Sequence, residues 1–87
     1  MFSLKVHFEI ARVTQKALEE LHSQKAIDQV TIILGYEQLS SRNLSGYDAK
    51  LRAAIARLLE LARAENQRQL ADALEALLQQ MDQEQVA

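Results

Sequence analysis

Histidine is the residue type here best suited to binding a metal ion or moving a proton, and the chain has two. His7 and His22 are fifteen residues apart, about 22 Å along one helix, so a helical segment would keep them from sharing an ion. Glu19 and His22 have the Glu-x-x-His spacing of di-iron bundles, but that site needs a second such pair, which the sequence lacks. We therefore expect no metal and no cofactor.

The two histidines have different expected surroundings. His22 is predicted to be a surface residue near a helix C-terminus, where a partial positive charge is mildly favourable. His7 interrupts an apolar stretch, which predicts a half-buried, hydrogen-bonded side chain. Because histidine titrates near neutral pH, His7 is also the candidate for a pH-sensitive residue that biases an interface.

No catalytic motif occurs in the sequence. It has neither a glycine-rich phosphate loop nor a Gly-x-Ser-x-Gly elbow. Ser40, Ser41 and Ser45 fit turn and cap positions better than a nucleophile's role, and the acidic residues of the last predicted helix fit a solvated face. We predict that the protein is not an enzyme.

Composition places the chain among small helical proteins. Its 87 residues include no proline, two glycines and no cysteine, and good helix formers dominate. A chain of this size has a small core, so self-association often supplies further burial. No apolar run is long enough to span a membrane and no secretory signal is evident, which predicts a cytoplasmic protein without membrane contact.

The first segment of the chain, residues 2–21, fits both a strand period and a helical period. Alternating apolar residues from Phe2 to Ile10 are typical of a strand, whereas a helical period explains the segment as far as Leu21. In a helix the apolar residues occupy two adjacent arcs, opposite a charged stripe, which is wider than a surface helix needs. Such a helix should be covered on two sides. The first arc comprises Phe2, Val6, Ile10, Val13, Ala17 and Leu21, and the second comprises Leu4, Phe8, Ala11 and Leu18.

The segment from Ser23 to Ser41 is the most ambiguous one. Val30 to Leu34 is a β-branched apolar run that would suit a buried strand, but a lone strand has no partner in the chain, so helix is preferred. As a helix it has one apolar face with Ile27, Val30, Ile33 and Leu34, and a second with Ile32, Tyr36 and Leu39.

The second half of the chain predicts two more helices. Ser45 and Asp48 match a capping box at the start of the third helix. The apolar stripe jumps forward between Ala62 and Leu70, by more than a supercoil allows. A break near residues 65–67 explains this jump, with Asn66 and Gln69 capping a fourth helix, although one kinked or continuous helix stays an alternative.

The predicted fold class is therefore all-α, a small antiparallel bundle of about four helices formed by two helical hairpins, in a single domain of residues 1–87. The expected helices are residues 3–24, 26–40, 47–65 and 67–82, with a frayed tail at 83–87. The alternative is an α+β fold with Phe2–Phe8 and Val30–Leu34 as strands.

The sequence favours a non-enzymatic protein-interaction module, such as a small regulator, adaptor or chaperone-like protein, that forms a dimer through an apolar helix face. Scarce exposed aromatic residues are the best anchors for such contacts. The predicted interface residues are Ile32, Tyr36, Leu39, Phe2 and Phe8.

The alternative function is nucleic-acid binding through the basic residues of the third helix and its exit. A net charge of −2 and the acidic neighbours of these residues argue against it. The residues concerned are Lys50, Arg52, Arg57, Arg63 and Arg68.

Overall fold

The computed structural model describes residues 2–39 and 46–85 and contains four helices there: α1 (Leu4–Glu20), α2 (Gln24–Leu39), α3 (Tyr47–Ala64) and α4 (Arg68–Gln85). No strand occurs in this described part. The all-α prediction is confirmed, and the α+β alternative is wrong for both of its predicted strands. Most of Phe2–Phe8 lies in α1 and Val30–Leu34 lies inside α2, where the helical period buries Val6, Val30 and Ile33 together.

The helices form an antiparallel ring in which each packs on its neighbours in the order α1, α2, α3, α4, with α4 returning to α1. The α1–α2 turn and the α3–α4 turn lie at the same end of the bundle. There the Glu65 carboxylate accepts hydrogen bonds from the backbone N–H groups of His22 and Ser23. At the other end, Ser3 donates to Glu84. The result is an up-down-up-down four-helix bundle.

One face of each helix forms the shared core. The first apolar arc of α1 is buried along its whole length, from Phe2 to Leu21. Thr14 is the buried polar residue among the described ones, and its hydroxyl donates to the backbone carbonyl of Ile10, so it costs little to bury. The predicted apolar faces of the last two helices are also buried: Leu51, Ile55, Leu58, Leu59 and Ala62 in α3, and Leu70, Leu74, Leu77 and Met81 in α4.

The turn between α1 and α2 begins earlier than the sequence predicted. α1 ends at Glu20 rather than near residue 24, since Leu21 is extended (φ −99°, ψ 136°) and turns its side chain into the core. Ser23 then accepts a hydrogen bond from the Ala26 N–H and caps α2. Burial of Leu21 and the Ser23 cap together favour ending the helix here.

The predicted break between α3 and α4 is confirmed, but Asn66 has another role than the predicted one. Asn66 has a left-handed conformation (φ 61°), and its N–H and that of Gln67 donate to the carbonyls of Arg63 and Ala62. This is a Schellman motif, which closes the C-terminus of α3. Asn66 therefore ends α3 and does not cap α4, which begins at Arg68.

The start of α3 and the end of α4 also differ in detail from expectation. Ser45 of the predicted capping box lies outside the described residues, and left-handed Gly46 (φ 70°) precedes α3. α4 continues to Gln85 rather than fraying after residue 82. The reason is that Glu84, in its last turn, accepts hydrogen bonds from the Ser3 N–H and hydroxyl at 2.8 and 2.5 Å.

Glu65 joins the two turns, and we expect its contribution to stability to depend on pH. The hydrogen bond from the His22 backbone, followed by those from the side chain and the backbone of Ser23, holds the pKa of the Glu65 carboxyl below its ordinary value. A carboxyl whose pKa is lowered by folding stabilises the fold above its unfolded pKa of about 4.3, and this stabilisation is lost as the pH falls through the folded value. Glu65→Gln should therefore lower the Tm at pH 7, and the difference from wild type should shrink towards pH 3.

The matched control is Glu60→Gln, which removes a carboxylate near the end of α3 that pairs with exposed Arg57. Thermal unfolding followed by circular dichroism at several pH values provides the measurement. An equal loss for the two variants at pH 7, or a Glu65→Gln effect that is the same at pH 3, would show that Glu65 does not join the turns as its ionised form.

Candidate protein-interaction surface

The large apolar side chains that stay exposed in the described residues all lie in α1 and α2. Their exposed fractions range from 39% to 70%. No such residue lies in the described part of α3 or α4, so the apolar surface is concentrated on one half of the bundle. The exposed residues are Leu4, Phe8, Leu18, Ile27, Ile32 and Leu34.

Two contacts show which side of each helix these residues occupy. His7 Nδ1 lies 2.8 Å from Glu37 Oε2, so the His7 side of α1 and the Glu37 side of α2 face each other. The Gln29 side-chain amide donates to the Ala54 carbonyl at 2.9 Å, so the other side of α2 faces α3. These contacts fix the rotation of α1 and α2 about their axes. The helical period of 100° per residue then gives the direction in which each other residue of these two helices points.

By this placement, most exposed apolar residues share one surface, which we name the α1–α2 face. The second apolar arc of α1 lies next to α2, on the outer side of the hairpin, and two α2 residues continue it. No charged side chain falls within the stripe that this arc forms. The α1–α2 face consists of Leu4, Phe8, Ala11 and Leu18 of α1 and Ile27 and Leu34 of α2.

Charged residues border this face instead. Lys5, Arg12 and Glu19 are exposed and follow one another at seven-residue intervals along the edge of α1 away from α2. Arg12 pairs with Glu9 at 2.8 Å, and the Glu9 hydrogen bond raises the pKa of the guanidinium. An uncharged apolar centre with a charged border is the usual composition of a protein-interaction surface.

Of the two phenylalanines predicted at the interface, one is exposed and the other is buried. Phe8 is 66% exposed and belongs to the α1–α2 face. Phe2 is only 4% exposed and packs in the core with Val6. It belongs to the first apolar arc of α1, which the bundle itself covers, so it offers no surface to a partner.

The other predicted interface residues lie on the opposite side of α2. Ile32 is 48% exposed and points away from α1, above the contact between α2 and α3. Tyr36, on the same side, is partly buried against the core. Leu39 ends α2, and its side chain is outside the part that the structure describes. The structure therefore separates Phe8 from Ile32 and Tyr36.

The sequence reasoning missed Leu4, Leu18, Ile27 and Leu34 as surface candidates. The sequence feature that indicated Leu4 and Leu18 was the width of the apolar surface of α1, which predicted that other parts of the protein or a partner cover this helix on two sides. The bundle covers only the first arc. The contribution of α2 was harder to find, because Ile27 and Leu34 share a helical face with the buried residues Val30 and Ile33.

His7 is half-buried and hydrogen-bonded, as predicted, with the Glu37 carboxylate as its partner. Tyr47 lies near this pair, and its pKa is raised, mainly by burial and further by the charge of Glu37. These residues join α1, α2 and α3 at one end of the bundle. The pH sensitivity of His7 stays a prediction, which measuring association at about pH 5 and at about pH 8 would test.

Within the described ranges, 2–39 and 46–85, no three histidine or acidic side chains come together as metal ligands. His22 is exposed just after α1. A shallow depression with a volume of about 210 Å³ lies beside the α3–α4 turn, between Arg63 and Arg68. Arg63 already pairs with Glu75 at 3.2 Å.

The arginines proposed for nucleic-acid contact are largely engaged within the bundle. Arg52 forms two hydrogen bonds with Asp82 of α4, and this contact lowers the pKa of Asp82. Arg57 pairs with Glu60 at 2.9 Å. Each pairing places a carboxylate where a phosphate would have to bind.

Comparisons with known proteins add no relative to this picture: no family model matches the chain, and no curated protein or solved structure matches it significantly. In the described residues, none of the helices combines the length and the apolar character needed to cross a bilayer.

Proposed function

We propose that the protein is a non-enzymatic protein-interaction module that forms a homodimer through the α1–α2 face. The class is that of a small regulator, adaptor or chaperone-like protein working in the cytoplasm. The observation that carries the proposal is the confinement of all exposed large apolar residues of the described chain to α1 and α2.

The energetics of the face support this proposal. Exposed apolar side chains gain about 25 cal/mol for each Å² that binding removes from water. Phe8 and Leu4 are one helical turn apart and are the two most exposed large apolar residues of the described chain. An exposed aromatic side chain beside an exposed leucine is typical of an interface anchor. The exposed residues of α3 and α4 are polar, charged or alanine.

The proposal predicts the mass of the protein in solution. At tens of micromolar, sedimentation equilibrium should give about twice the 9.9 kDa of one chain, with dissociation on dilution. A single species of monomer mass at that concentration would end the claim of self-association. A pull-down with the wild-type chain would then be the way to find a different protein partner.

Nucleic-acid binding is the alternative, and the ion pairs of Arg52, Arg57 and Arg63 weigh against it. Binding that relies on phosphate contacts is strongest at low salt and falls steeply as salt is added. Retardation of DNA or RNA at about 50 mM salt would favour this alternative, and its absence would remove it.

A further inference from the structure

We infer that two copies associate with their α1 helices antiparallel, about a two-fold axis that passes beside Ala11. This inference rests on the proposed self-association and specifies its geometry. It assigns partner positions to Leu4, Ala11, Leu18 and Leu34 of the α1–α2 face, which the proposed function alone does not do.

The exposed stripe of α1 has the spacing and the symmetry that such a contact needs. Leu4, Phe8, Ala11, Gln15 and Leu18 are all exposed, and successive members are four, three, four and three residues apart. This is the 3.5-residue spacing along which two helices pack. The stripe is also nearly symmetric in size about Ala11. An antiparallel pair places Leu4 against Leu18 of the second copy and Ala11 against its own equivalent, where small side chains allow close approach.

The two end residues of the charged border favour the antiparallel direction. Its middle residue, Arg12, would lie near its own equivalent in either direction and is already paired with Glu9 of its own chain. Lys5 and Glu19 are fourteen residues apart, about 21 Å along α1, so they cannot pair within one chain. The antiparallel arrangement brings Lys5 of each copy beside Glu19 of the other, at both ends of the contact. A parallel arrangement would gather both Lys5 side chains at one end and both Glu19 side chains at the other. Opposite charges facing across an interface select its orientation.

The α2 residues of the face fit the same axis. His7 of α1 faces Glu37 of α2, and the two helices are antiparallel. Ala11, one turn after His7, therefore lies beside Leu34, one turn before Glu37. A two-fold axis beside Ala11 therefore also brings the two copies of Leu34 close together. Each helix of the hairpin then packs on its own equivalent in the second copy.

Single cysteine variants test this geometry cleanly, because the chain has no cysteine of its own. A disulfide needs Cα atoms within about 7 Å. Ala11→Cys should form a disulfide-linked dimer under mild oxidation, since two copies of position 11 meet at the axis. Gln15→Cys should not, since the antiparallel arrangement separates its two copies by about 12 Å along the helix. Cross-linking of both variants would indicate a parallel contact and overturn the inference.

A charge exchange provides a second test that does not depend on cysteine. Lys5→Glu and Glu19→Lys should each weaken the dimer several-fold, and the variant with both changes should regain most of the wild-type affinity, measured by sedimentation at low salt. Both residues are exposed, so each variant should fold. No recovery in the double variant would overturn the antiparallel pairing. A wild-type dimer with these failures would refute this geometry alone, whereas a monomeric wild type would refute the proposed function itself.

Discussion

Ile55→Ala should destabilise the bundle by about 2–5 kcal/mol, the usual cost of removing a buried aliphatic side chain. Ile55 is fully buried in α3, among the core residues contributed by the other helices. The truncation removes apolar burial and leaves a cavity that a close-packed interior fills only in part. A domain of this size is stabilised by only about 5–15 kcal/mol, so the variant should unfold at a much lower urea concentration. Equilibrium denaturation followed by circular dichroism measures the change.

The matched control is Ile32→Ala, the same chemical change at a side chain that is 48% exposed. It should alter the free energy of unfolding by less than about 1 kcal/mol, since little packing is lost and alanine favours helix. Equal effects of the two variants would contradict the assignment of Ile55 to the core and of Ile32 to the surface.

Phe8→Glu should abolish or strongly weaken the proposed dimer while leaving the monomer folded. Truncating a central aromatic anchor costs about 2 kcal/mol or more, which corresponds to a loss of affinity of about 30-fold, and a carboxylate in its place must also lose its water. The monomer should keep its helicity because Phe8 is 66% exposed and contributes little to the core. Sedimentation equilibrium of the variant, with circular dichroism as the folding check, measures both expectations.

Ile32→Glu is the control for the position of this contact. It also introduces a carboxylate at an exposed apolar residue, but on the α3 side of α2. We expect the Ile32→Glu protein to associate like wild type. Dissociation by Ile32→Glu and not by Phe8→Glu would place the interface on the surface first predicted, around Ile32 and Tyr36, and would refute the α1–α2 face.

The fold could be predicted from the sequence because the helical period acts over long segments. The first arc of α1, from Phe2 to Leu21, and the apolar faces of α3 and α4 are buried as their spacing indicated. The break near Asn66 followed from the phase shift between Ala62 and Leu70. Helix ends were less predictable, since they depend on single tertiary contacts, such as Glu84 with Ser3 and Glu65 with the backbone of His22.

The interaction surface could be predicted only in part. A second apolar arc on α1 was visible in the sequence, but which arc faces the core depends on the packing of four helices. Phe2 was expected at an interface and is buried, while Leu18 was not among the predicted interface residues and is half-exposed. For α2, the pairs His7–Glu37 and Gln29–Ala54 fix its rotation, and both join residues at least 25 positions apart. No local pattern contains that information.

The central claim is that a second copy covers the α1–α2 face, and methyl NMR on a dilution series tests it most directly. From about 10 to 500 μM, a range chosen to span micromolar to millimolar association, the methyl signals of Leu4, Leu18 and Leu34 should shift with concentration. Those of exposed Ile32 and buried Ile55 should stay in place. Signals that are constant throughout in a protein that sediments at the mass of one chain, or shifts confined to Ile32, would contradict the claim.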